Sequence, residues 1–132
     1  MIRRTNNLLK RQNGQSLVEF ALLLPMLVVI LFSAVEFGRL WMTMNVLTGA
    51  AREGARVAAV TAPNVALVQN AVSNVLAGAN INGATITVAG PNAANSVTVT
   101  VQINYNVLTG AVVPGLSQTL QLTRTASMRW EG

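Results

Sequence analysis

Three observations predict an α+β fold with a long N-terminal helix, a second short helix and a small antiparallel β-sheet. Residues 15–35, QSLVEFALLLPMLVVILFSAV, are almost wholly apolar. Beyond them no proline interrupts residues 40–62, where small residues recur at three- and four-residue spacings. After Gly78 the apolar pattern changes to strict alternation. A period near 3.6 marks one face of a helix and a period of 2 marks a half-buried strand.

The apolar run predicts a membrane-spanning segment. As a helix it extends roughly 30 Å, the thickness of a bilayer core. A small domain rarely buries a helix that is apolar on every side. Pro25 removes one helical hydrogen bond and is expected to bend the segment, which membrane helices tolerate. Phe37 and Trp41, one turn apart, fit an interfacial aromatic belt, and Glu36 with Arg39 at i,i+3 is read as the return to water. Glu19 is the anomaly, a lone carboxylate near the start of the run.

The helix is expected to continue outside the membrane. Gly49, Ala50, Ala51, Gly54, Ala55, Ala58 and Ala59 allow close helix packing, and Arg52, Glu53 and Arg56 can pair within one turn. Residues 15–61 therefore read as one helix of roughly 70 Å. Pro63-Asn64 breaks it, and Asn64 can cap a second helix with a stripe of Val65, Val68, Val72 and Leu76. The alternating runs 84–89, 96–107 and 118–130 predict three strands. In the middle run Val97, Val99, Val101, Ile103 and Tyr105 share one face, with Ser, Thr, Gln and Asn on the other. GPNAAN (90–95) reads as a hairpin turn, and LTGAVVPGL (108–116) as an apolar connection that covers a sheet edge or touches a partner. The chain thus divides into a basic head at 1–14, a long helix at 15–62 with its membrane segment at 15–36, and a helix-plus-sheet domain at 63–132.

Composition narrows the chemistry. The chain has 132 residues, 52% hydrophobic and 10% charged, enough for one small domain and an anchor. Its net charge of +5 is concentrated in Arg3, Arg4, Lys10 and Arg11, which supply +4; from Gln15 onward five arginines face four glutamates. Basicity confined to a short head before an apolar run is a topology signal, with the head cytoplasmic, and not a nucleic-acid face. The chain has no cysteine and no histidine. Its carboxylates, Glu19, Glu36, Glu53 and Glu131, are too dispersed for a paired acid–base site. No phosphate-cradling glycine loop or metal-ligand cluster is visible. The reading is of a non-enzyme with no cofactor and no metal.

The stretch NGQSLVEFALLLPMLVVILFSAVEFGRLWMTMNVLTGAAREGARVAA resembles the TadE-like family of minor pilins or pseudopilins of the Tad (Flp) pilus and secretion systems. Gly14, the Glu19-Phe20 pair, LLLP ending at Pro25, VEFGRL at 35–40 (with Glu36, Gly38 and Arg39) and AAREGAR at 50–56 carry the resemblance. It implies a type IV prepilin-like leader, cut by a membrane prepilin peptidase between Gly14 and Gln15 on the cytoplasmic side. Glu19 would then be the fifth mature residue, pairing with the Gln15 ammonium of a neighbouring subunit. The implied partners are the membrane, the prepilin peptidase, other pilin subunits and the Tad assembly platform. The implied location is the bacterial inner membrane, single-pass with the C-terminal domain extracytoplasmic, or a surface pilus.

The residues leave other fates open. Small-residue sites of the Ala-x-Ala kind are poorly formed, since Phe32 precedes Ala34 and Glu36 precedes Gly38 at the second position, which disfavours ordinary signal-peptidase cleavage. That cleavage and an uncleaved signal anchor remain alternatives. A static membrane-anchored binding module, or a pseudopilin of another secretion or DNA-uptake machine, would carry the same anchor.

Overall fold

The computed structural model describes residues 6–61, 64–108, 110, 115 and 118–131, with side chains from Gly14 onward. Helix α1 spans Asn6–Thr61, α2 Val65–Gly78, β1 Thr85–Ala89, β2 Ser96–Asn106 and β3 Thr119–Arg129. This is the α+β arrangement that the change of period predicts.

Helix α1 is unbroken through Pro25 and already includes Asn6, inside the segment read as a head without periodicity. Residues 6–13 are mostly Leu, Lys, Arg, Gln and Asn, and nothing among them stops a helix. Gly14 has open space around it and does not end the helix either. Arg3 and Arg4, the side chains of Lys10 and Arg11, and the break expected at Pro63 lie outside the described residues.

Helix α2 starts where Asn64 predicts, its side chain accepting a hydrogen bond from the Leu67 amide at 3.3 Å. Val68, Val72 and Leu76 are buried, whereas Val65, in the first turn, is exposed and leaves the stripe. The three strands form one antiparallel sheet in the order β1-β2-β3, with Val99 paired to Val88 on one side and Ala126 on the other. In the β1–β2 turn, Asn92 Oδ1 accepts from the Ala94 and Ser96 amides and from Ser96 Oγ, each at 3.0 Å. Gly90 in that turn has φ +111, and a Cβ there would stand 2.5 Å from the Ser96 carbonyl oxygen, so no other residue fits.

The core lies between the sheet and the two helices. Val97, Val99, Val101, Ile103 and Tyr105 of β2 are buried against Leu47, Ala50, Ala51, Ala55 and Ala58 of α1 and the α2 stripe. Each fully buried valine or leucine contributes about 1.5–3 kcal/mol. The small residues of α1 serve this packing. Gly54 is the extreme case, since a Cβ there would meet Val72 Cγ2 at 2.5 Å and Val99 Cγ1 at 3.0 Å. Gly49, by contrast, is exposed with nothing within 4 Å. The polar face of the sheet is more open and carries a cross-strand Thr100–Thr125 hydroxyl contact of 3.1 Å.

Candidate functional site

Helix α1 has two contrasting halves. From Gly14 to Val35 every residue is exposed, including Leu17, Phe20, Leu22, Met26, Ile30 and Phe32, whereas from Leu47 onward one face is packed into the domain. The described part, Gly14–Thr61, is long and apolar enough to cross a membrane, and no residue of its most apolar stretch is buried. Such a surface needs lipid or other apolar helices around it.

Two carboxylates stand at the ends of the exposed half. Glu19 is exposed, and Gln15 Nε2 donates to its Oε1 at 3.2 Å, one turn back on the same face. Phe20 is exposed beside it. Pro25 and Gly38 are also exposed, and Gly38 has open space around it.

Glu36 does not mark a return to water. Only 9% of it is exposed, and its carboxylate is held by the sheet domain. The Tyr105 hydroxyl donates to Oε1 at 2.6 Å and the Leu108 amide donates to Oε2 at 2.9 Å. Arg39 lies 3.6 Å from Oε1, with its guanidinium carbon 5.7 Å from the centre of the Tyr105 ring. Removal from water, then the hydrogen bond to Glu36 and its charge, push the Tyr105 phenol up to about 12, with Arg39 pulling the other way.

Higher on α1, Arg56 forms a two-point ion pair with Glu53, at 2.6 and 2.9 Å. That hydrogen bond holds Glu53 below, and Arg56 above, its ordinary range, on an exposed surface where such pairs contribute little. Arg52 is exposed, and Gly54 faces the core. The structure thus joins Glu36 to Arg39 and Glu53 to Arg56, and leaves Gly14, Gln15, Glu19 and Phe20 together on the bare half of the helix.

Sequence reasoning missed Tyr105 and Leu108 as partners of Glu36. One signal was available: a tyrosine on the core-facing side of a strand needs a partner for its hydroxyl, and the chain has only four carboxylates to offer. Among the described residues no group of three or more His, Cys, Asp or Glu could hold a metal ion.

No curated protein and no solved structure matches the chain significantly. A family model does match, over residues 14–56, the stretch that contains the bare half of α1, the carboxylates Glu19, Glu36 and Glu53, and part of its packed half. That model is described as TadE-like protein, in agreement with the resemblance read from the sequence, and the similarity lies wholly on the N-terminal helix.

Proposed function

We propose that the chain is a minor pilin or pseudopilin of a Tad-type pilus or secretion system, cut after Gly14 by a prepilin peptidase and assembled through α1. The observation that carries this reading is Glu19: an exposed carboxylate five residues beyond Gly14 on an otherwise bare apolar helix. In hydrocarbon a charge costs on the order of 2.5–3.5 kcal/mol at mid-bilayer and less near the interface. A neighbour's Gln15 ammonium offsets that cost when subunits stack. The partners on this reading are the membrane, the peptidase, fellow subunits and the assembly platform.

Cleavage needs the backbone near Gly14 to leave the helix and enter the peptidase. A glycine in a helix interior is about 1 kcal/mol less favourable than alanine, so Gly14 makes that opening cheaper. The basic head stays cytoplasmic and the sheet domain lies outside. The chain acts by assembly and carries out no catalysis of its own.

Intact-mass measurement of the native protein tests the reading. Loss of residues 1–14, leaving Gln15 first, is expected together with activity of a periplasm-active reporter fused after the domain. A full-length mass, or a start beyond Val35, overturns the leader. A protein that is cut but never found in sheared filaments would be a static anchor.

A further inference from the structure

The end of the sheet domain nearest Glu36 meets the apolar half of α1. Val28, Leu31, Phe32 and Val35 of α1, with Glu36 and Leu108, line a groove of 340 Å³. Val28 to Val35 cover about 10 Å of helix axis. Leu108 belongs to the domain, yet it stands beside residues of the membrane segment. The course of the chain explains this. β2 starts next to the 90–95 turn, near the far end of α1, and runs toward Glu36, so the β2–β3 end of the sheet hangs lowest.

The chemistry of this end suits lipid. Leu108 is half exposed, and its amide is satisfied by Glu36, so it presents no free backbone donor. Glu36 itself is supplied with protein donors in place of water. Phe37 and Trp41, both exposed and stacked with ring centres 6.3 Å apart, lie on the turn above. The groove is continuous with the bare surface of α1, and that continuity names its occupant.

We propose that the groove between α1 and Leu108 is a lipid-binding surface, with a phospholipid acyl chain in it and Leu108 at hydrocarbon level in the nearer leaflet. The proposal rests on the membrane reading of α1. It makes the domain a body seated on the bilayer by a second contact, and not one held above it by the helix alone.

Site-directed spin labelling tests it, since the chain has no native cysteine. Full-length L108C, L27C and A94C are labelled and reconstituted in phosphatidylethanolamine–phosphatidylglycerol vesicles. Accessibility is then measured to oxygen, which concentrates in hydrocarbon, and to a water-soluble nickel chelate. Leu27 lies mid-span and Ala94 in the distal turn, and the near-ultraviolet dichroism of each variant checks folding. The Leu108 label is expected to favour oxygen as the Leu27 label does, while the Ala94 label favours the chelate. A Leu108 label that follows Ala94 overturns the proposal and leaves the anchor intact. A Leu108 label shielded from both reagents overturns it in favour of a second copy in the groove. A Leu27 label open to the chelate overturns the membrane reading itself.

Discussion

Tyr105, at the low end of the central strand, donates its hydroxyl to Glu36 of the long helix at 2.6 Å, across 69 positions of sequence. This bond ties the domain to the helix at the upper boundary of the bare segment. A buried carboxylate that loses a donor keeps its desolvation cost without the compensating bond.

Tyr105→Phe should therefore destabilise the domain by about 1.5–3 kcal/mol, the range for hydrogen bonds to charged groups. Denaturant unfolding of the full chain in detergent, followed by tryptophan fluorescence, measures it. An unchanged midpoint would mean that water replaces the phenol at Glu36.

The same contact gives a pH signature. The phenol ordinarily titrates near 10 and here reaches about 12, chiefly through burial and then through Glu36. A folded value above the unfolded one contributes stability that is complete below pH 10 and is lost as pH rises toward 12. Tyr105 is the chain's one tyrosine, so tyrosinate absorption reports it directly. Glu36→Gln should lower that titration only part of the way, because burial remains its leading cause.

Gly54 and Gly49 should respond to alanine in opposite directions. At Gly54 the new methyl meets two valines, whose branched side chains turn poorly, and overpacking of this kind costs typically 1–3 kcal/mol. At exposed Gly49 the gain in helix propensity is up to ~1 kcal/mol with no clash. Thermal unfolding of the two variants side by side separates close packing from propensity.

Glu19→Gln should leave synthesis, cleavage after Gly14 and membrane insertion intact while removing the protein from sheared filaments. The amide is cheaper than a carboxylate near hydrocarbon, so the monomer gains slightly. The assembled state loses roughly 3–5 kcal/mol because a buried ammonium then faces no anion. Recovery in filaments at wild-type level would reduce Glu19 to an interfacial charge, and accumulation of uncut protein would place it in the peptidase's recognition sequence.

Most of the fold was legible because its signals are local. The Asn64 cap, the change of period after Gly78 and the alternation of β2 place each strand within one residue of its observed ends. The role of Glu36 was not legible. A carboxylate after an apolar run looks like an exit into water, and its partners are 69 and 72 positions away. The helicity of residues 6–13 was missed for the converse reason, since they lack an apolar stripe but also lack anything that stops a helix. Of the candidate site, Gly14, Gln15 and Glu19 were singled out by the resemblance to TadE-like proteins, while the Tyr105 and Leu108 clasp exists only after folding.

The far end of the domain is fastened as well: the Glu131 amide donates to the Ala59 carbonyl at 3.0 Å, and the Trp130 amide to Asn95 at 2.7 Å. With the Glu36 clasp, the sheet is bolted to its mast at two points separated by roughly 35 Å of helix axis. A plate held at one point can swivel; held at two, it can only follow the shaft. Any tilt or roll of α1 is therefore handed to the domain. Re-aiming the domain's outer face then becomes a matter of turning the helix.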